Sequence, residues 1–202
     1  MDFNFKKHIF LQDRRVILEP LNWTHFEFLL PIALANPELH KFSPSRYGSE
    51  ESLKKYFENA FDQKKDGLRY PFAIFDYKTK TYAGSTSFGN ISNRDKRLEI
   101  GWTWIGHEFQ RTGLNRHCKY NLLQYAFEKL NFERVEFKTD DRNEQSKNAI
   151  LAIGGKLEGI LRNHTLMFDG RRRDTVYYSI LKNEWGTIKK SVFKNLREHE
   201  NI

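Results

Sequence analysis

The sequence predicts an α+β fold: a mixed, mostly antiparallel twisted sheet flanked by helices, in the order β-α-α-β-β-β-α-β-α-β-β. Three observations carry this. Apolar runs at 72–75, 82–88 and 98–105 are separated only by polar turns at 77–80 and 93–96, the spacing of an antiparallel meander. Leu114, Cys118, Leu122, Ala126 and Leu130 recur every four residues, as on one face of a long helix. Asp169-Gly170 lies between two strand-like runs, a strong hairpin signal.

The remaining elements follow in order. Residues 15–21 form a short β-branched run stopped by Pro20, a first strand. Thr24 reads as the N-cap of a helix beginning near His25 and holding Phe26, Phe28, Leu29 and Leu30, which Pro31 breaks or kinks. Pro37 and Ser43-Pro44 mark a loop. Residues 49–52 open a second helix, with Leu53, Tyr56, Phe57 and Ala60 at helical spacing. Residues 134–139 alternate as a strand, and 143–153 form a short helix closed by Gly154-Gly155. The hairpin strands span 157–168 and 174–181, and a polar amphipathic helix begins near residue 183. No repeat or Pro/Gly-rich linker divides the chain before about residue 182, so one domain is expected over 12–182 with a helical tail at 183–202.

Composition narrows the function classes. The chain has 202 residues, 39% hydrophobic and 15% aromatic, enough for a full core and too apolar for disorder. One cysteine, Cys118, excludes an internal disulfide or a multi-cysteine zinc site, and its place in the helical stripe makes it a core residue. His107, His117 and His164 lack metal-ligand spacing, so no metal is expected. No run approaches 18 apolar residues and the start lacks a signal peptide's apolar core, so a cytoplasmic protein off the membrane is expected.

Lys and Arg number 34 against 26 Asp and Glu, a net charge of +8. Such a surface suits nucleic acid, acidic proteins or phosphorylated cofactors, or is simply a soluble basic one. A basic nucleic-acid-binding module is the alternative function class, but the cations are dispersed and no RNP, KH or zinc-finger pattern is present. Arg171-Arg172-Arg173 is the one compact cluster, either a solvated hairpin tip or a contact for an acidic acceptor or ribosomal RNA. The lysine-rich tail reads as a solvated helix face, and packing on a second copy stays open.

The chemistry concentrates at 105–115. A strand ends, and a short loop containing Gly113 leads directly into the long helix. The first N–H groups of a helix lack internal partners, and the helix dipole adds positive charge there, so this junction suits an anion. Arg111 and Arg116 add full charges. The loop is neither a Walker loop nor the Rossmann glycine pattern.

Gln110-x-x-Gly113-x-Asn115, placed between strand and helix, resembles the pyrophosphate loop of the GNAT acetyltransferases, with Asn115 at a usually small position. Asn143-x-x-Ser146, Gly154 and Glu158-Gly159 resemble the C-terminal signature of its RimJ/RimL-like branch, and the resemblance covers roughly 12–182. It implies a GNAT-like sheet and transfer of an acetyl group from acetyl-CoA to a primary amine, such as a protein N-terminus or a small amine. It further implies that Trp104 and Ile105 pair by backbone with the pantetheine arm. The N–H groups of Arg111, Thr112, Gly113, Leu114 and Asn115 would take the pyrophosphate, and Asn143 would bond the pantetheine.

Amine attack on a thioester needs a proton acceptor, because an amine with pKa near 8 or above is mostly protonated at pH 7. Glu99 lies where related acetyltransferases place a glutamate base; otherwise it is a surface residue paired with Arg97 or Lys96. Strict alternation puts Glu99, Gly101 and Thr103 on one face of its strand, and Ile100, Trp102 and Trp104 on the other, unless a bulge intervenes. Ser146 is the candidate proton donor to the leaving thiolate. The tyrosine many GNAT enzymes carry four residues later is Ile150 here, and Asn143 and Ser146 also suit a helix N-terminus. His164 is a second base candidate, beside Thr165, the place of a glutamate in RimL-like enzymes; its other reading is a structural strand histidine.

Overall fold

The computed structural model describes residues 1–197. Eight strands form one sheet: β1 (Leu11–Gln12), β2 (Val16–Pro20), β3 (Arg69–Asp76), β4 (Thr81–Ser92), β5 (Arg97–Ile105), β6 (Arg134–Asp140), β7 (Lys156–Leu166) and β8 (Arg172–Leu181). Their order across the sheet is β1-β2-β3-β4-β5-β6-β8-β7. All neighbours are antiparallel except β5 and β6. That parallel pair needs a long crossover, and α3 (Leu114–Gln124) supplies it. The other helices are α1 (Phe26–Ala35), α2 (Glu50–Lys65), α4 (Glu144–Leu151), α5 (Lys182–Ser191) and α6 (Lys194–Arg197). Among the described residues no helix is long and apolar enough to cross a membrane.

The mixed, mostly antiparallel sheet is the predicted one, with corrections. β1 adds a two-residue edge strand that the sequence did not announce. Asn22, not Thr24, caps the first helical turn, its side chain accepting from Thr24 N. Pro31 lies inside α1 without ending it. Both Pro31 and Glu27, whose carbonyl loses its partner, face water, so the missing N–H is tolerated. The long helix stops at Gln124 and passes into a π turn over Tyr125–Lys129. The tail does not present a wholly solvated face: Trp185, Ile188 and Phe193 enter the main core. Residues 198–202 of the predicted tail lie outside the described residues.

The decisive feature is the parting of β5 and β6. Their pairing covers only Arg97↔Arg134 to Glu99↔Glu136, although β5 runs on to Ile105 and β6 to Asp140. β6 stays with β8 to Asp140↔Thr175, and β5 stays with β4 to Gly84↔Ile105, so a wedge opens between them. Its cause is local. Ser87 pairs with Gly101 and Ser85 with Trp104, so three steps of β5 oppose two of β4. Trp102 takes φ +50°, a bulge that bends the strand. Two β4 glycines make room: a Cβ at Gly84 would overlap the Trp104 carbonyl oxygen, and one at Gly89 would overlap the Trp102 ring.

The bulge overturns the expected alternation. Arg69, Gly89 and Glu99 are successive cross-strand partners, so they share the α2 face with Gly101, which faces Ser87. Trp102 stays on this face above Gly89, and Trp104 stacks there on Tyr47 with ring centroids 5.0 Å apart. Ile100 and Thr103 face α3, Thr103 through hydrogen bonds to Thr86 (2.8 Å) and Lys119 (2.7 Å).

Candidate active site

The wedge is rimmed by the loop before α3 on one side and the start of α4 on the other. Thr112 Oγ1 closes the loop by donating to Phe109 O (2.6 Å). Arg111 (φ +58°) and Gly113 (φ +90°) both adopt left-handed backbone, which turns successive N–H groups toward one concavity. Among the described residues nothing accepts from the N–H groups of Arg111, Thr112, Gly113 or Asn115. A Cβ at Gly113 would meet no protein atom, so this glycine serves its backbone angle and leaves the concavity open. The donor set therefore fits a phosphate group.

Support comes from the residue just before β2. Arg15 makes a two-point ion pair with the buried Asp76 (2.6 and 3.0 Å), and its Nη atoms reach Thr112 O (3.4 Å) and Oγ1 (3.3 Å). Gln110 spans the mouth of the wedge: its Nε2 donates to Ile105 O (3.0 Å), and its Oε1 accepts from Gln145 of α4 (2.9 Å). Gln110 thus orients the end of β5, and the Ile105 carbonyl already holds one hydrogen bond.

Of the three residues that follow Gly113, only Arg116 departs from expectation. Leu114 is fully buried, so only its backbone reaches the concavity. Asn115 turns its Oδ1 inward, where it is buried without a partner among the described residues. Arg116 does not charge the cradle. Its guanidinium donates to Val192 O and lies over Phe193 (5.8 Å), and its N–H bonds Gly113 O (3.0 Å). A partner 76 residues downstream draws it away.

Glu99 is 6% exposed and is not a surface glutamate. Its Oε2 accepts from Asn90 Nδ2 (2.6 Å) and pairs with Lys138 Nζ (2.8 Å), while Arg97 and Lys96 pair with Asp95 and Asp2. Burial opposes the Lys138 ammonium, but Glu99 outweighs it and the lysine is held above its ordinary value. Trp104, expected to meet the cofactor by its backbone, is buried, with Nε1 unpartnered among the described residues.

Asn143 caps α4, its Oδ1 accepting from Ser146 N (3.0 Å), so the capping reading holds for its side chain. Ser146 is half-buried on the first turn of α4, and the Gln110–Gln145 bond ties that turn to the loop. His164 lies elsewhere. It is exposed on β7, near Thr175 Oγ1 (3.1 Å) and Thr165 Oγ1 (3.2 Å), against the Tyr177 ring. Three strand steps, roughly 14 Å, separate β7 from β5 across the sheet, and His164 also lies farther along the strands, at the level of Thr175 and Asp140, so His164 and Glu99 do not share one proton.

The arginine cluster is also committed internally. Arg171 pairs with the buried Asp140 (2.6 Å), Arg172 donates to Asn163 O, and the buried Arg173 donates to Thr175 Oγ1 and Phe42 O. Arg173 thereby ties the hairpin to the loop after α1. Cys118 is core, as expected, with burial pushing its thiol up to about 12. Among the described residues no group of His, Cys, Asp or Glu could hold a metal ion. No sequence pattern singled out Lys119, 7% exposed beneath the β5 bulge, or Arg69, buried under α2. Both are long cations beside apolar stripes, and only tertiary pairing turns them inward.

Residues 15–156 match the family described as Acetyltransferase (GNAT) domain. Over 102 residues the chain is 37% identical to a Bacillus subtilis (strain 168) protein named "Putative ribosomal N-acetyltransferase YdaF", covering 50% of this chain and 55% of that one. The match thus spans only about half the length of that relative. It is 28% identical over 152 residues to "Uncharacterized N-acetyltransferase p20" of Bacillus licheniformis, covering 75% of this chain and 84% of that one. A GCN5-related N-acetyltransferase structure from Brucella melitensis shares the fold, with TM-score 0.87 and 24% identity over 96% of this chain and 87% of that one.

Proposed function

We propose that this chain, which belongs to the GNAT acetyltransferase family, moves an acetyl group from acetyl-CoA to a primary amine, with a protein N-terminal α-amine as the favoured acceptor. The observation that carries this reading is the parted β5 and β6, with N–H groups of Arg111, Thr112, Gly113 and Asn115 at the wedge's rim that no acceptor takes among the described residues. Likeness to YdaF supports the ribosomal, RimJ/RimL-like type of acceptor. The cytoplasmic setting fits a lone, buried and unpaired cysteine.

Bound acetyl-CoA supplies an activated thioester carbonyl. The chain's residues do the rest. The nest at 111–115 holds the pyrophosphate, and Arg15 braces it through Thr112. The unpaired edge of β5 at Trp104 and Ile105 lies along the wedge for backbone pairing with the pantetheine. Glu99 accepts the amine proton, directly or through water, becoming a neutral carboxyl beside the Lys138 ammonium until it returns the proton to solvent. Ser146 stands on the α4 side as donor to the departing thiolate, and Asn143 fixes the turn that carries it. His164, exposed and about three strand spacings away, is left to contact the acceptor.

Thermal unfolding with CoA tests the reading. Ligand at 100 times its dissociation constant adds about 2.7 kcal/mol, so Tm is expected to rise by roughly 5–10 °C in a chain of this size. Gly113→Val should fold yet lose that rise, because a β-branched residue at φ +90° distorts the nest. No rise in the native chain at millimolar CoA counts against the proposal. Mass-spectrometric acetylation of peptide N-termini then identifies the acceptor.

A further inference from the structure

On the α2 face lies a cleft of about 540 Å³ whose lining includes Arg46, Lys55, Tyr56, Arg69, Trp102 and Phe168; Glu99 is not part of that lining and stands one strand beyond Gly89, under the Trp102 side of the cleft. Its charge is one-sided. Three cations, Arg46, Lys55 and Arg69, face one carboxylate, Glu51, already paired with Lys55 at 2.6 Å. Arg46 lies over the Phe168 ring (4.3 Å) without an acidic partner among the described residues.

Arg69 is the unusual group. It is 2% exposed, yet no carboxylate meets it among the described residues. Its Nε donates to Ser87 Oγ (2.8 Å) and its Nη2 to Tyr56 Oη (2.5 Å), with the Tyr56 and Trp102 rings 4.8 and 5.1 Å away. Those contacts leave Nη1 without a partner among the described residues, on a guanidinium that lines the cleft. Burial of a cation without an anion is costly, and the planar fork of arginine suits a carboxylate. Burial also draws this guanidinium below its ordinary pKa.

Spacing identifies what could supply that anion. Arg69, Gly89 and Glu99 are direct cross-strand partners, so Arg69 and Glu99 stand two strand steps apart, roughly 10 Å. The Trp102 ring lies over Gly89 between them. Extended peptide advances about 3.3–3.6 Å per residue, so two to three residues cover that distance. A free amino acid is too short.

We propose that this cleft seats the acceptor and selects a peptide N-terminus carrying an acidic residue at its second or third position, the carboxylate between Arg69 and Arg46 and the amine toward Glu99. The choice of acceptor rests on the acetyltransferase reading; the preference for an acid rests on the cleft itself.

Calorimetry on the full chain with CoA present separates the two. The probes are Ala-Glu-Glu-Gly-amide, Ala-Gln-Gln-Gly-amide and Ala-Lys-Lys-Gly-amide. The acidic peptide is expected to bind at least tenfold tighter than the glutamine peptide, with the lysine peptide weakest. Arg46→Ala, at the exposed lip, should narrow the gap about threefold to fivefold, in line with loss of one charge-assisted contact. Arg69→Lys should narrow it further, by losing the fork while keeping the charge. Should Arg69→Lys fail to fold, Arg46→Ala and the weakening of acidic-peptide binding at high salt carry the test. Binding of all three peptides within twofold, or a gap indifferent to Arg46→Ala, overturns the inference. Equal kcat/KM on all three also overturns it and leaves the acetyltransferase reading intact. Selective binding without acetyl transfer to any amine sustains the inference and removes that reading instead.

Discussion

Glu99→Gln is expected to lower kcat for peptide N-terminal acetylation by about 10²–10³-fold, the usual contribution of a positioned general base, with CoA affinity unchanged within twofold. The substitution is nearly isosteric, and a glutamine can still meet Asn90 and Lys138, so the fold should survive. It removes the carboxylate charge proposed to accept the amine proton. The nest at 111–115 is built by other residues, which is why cofactor affinity should not follow. The pair with Lys138 supplies a second readout. Without Glu99 the Lys138 ammonium loses the contact that holds it above its ordinary value, so its pKa should fall in the variant. His164→Ala should change kcat less than threefold, since His164 is exposed and distant from Glu99. Turnover unchanged in Glu99→Gln and lost in His164→Ala would reverse the assignment.

The contrast between Gln110–Gly113 and the strand before it explains how much was legible. The loop is local. A glycine at a helix start and a glutamine within reach of the preceding strand act over a few residues, so sequence spacing reveals them. The same locality made the α4 cap at Asn143 and the hairpin at Asp169-Gly170 readable. The faces of β5 were not readable. The bulge at Trp102 depends on Gly84 and Gly89, which give way on the neighbouring strand, and no pattern within 97–105 encodes that neighbour. Alternation put Trp102 and Trp104 opposite Glu99, whereas the bulge brings all three to the α2 face. Arg116 failed for the same reason: its charge beside a helix start suggested a phosphate, and only the returning tail shows that Val192 takes it.

Lys119→Met is expected to raise stability at pH 7 by about 3 kcal/mol, the worth of lifting a depressed lysine pKa by two to three units. Lys119 is 7% exposed, and its one hydrogen bond runs from Nζ to Thr103 Oγ1 at 2.7 Å. Burial draws its pKa from the ordinary 10.5 down to about 8, and the only opposing influence is the neighbouring Cys118. Between pH 8 and 10.5 the unfolded chain therefore holds more protons here than the folded one, so native stability should climb through that window; below pH 8 the full penalty is present. Cys118 acts in the opposite sense. Its thiol is pushed from 9.0 up to about 12, so above pH 9 it favours unfolding as it ionises only in the open chain. Differencing native and variant proteins at each pH cancels most of that contribution. Methionine matches the lysine stem and needs no solvent, and Thr103 keeps its bond to Thr86 (2.8 Å). Denaturant titrations from pH 7 to 10 should show the advantage shrinking as pH rises; an unchanged or lower stability at pH 7 would contradict the assignment. An amine this costly is explained if its bond to Thr103 fixes the bulge that parts β5 from β6. The stabilised variant should then lose kcat while keeping its CoA-induced rise in Tm, the trade expected where a site is kept at the fold's expense.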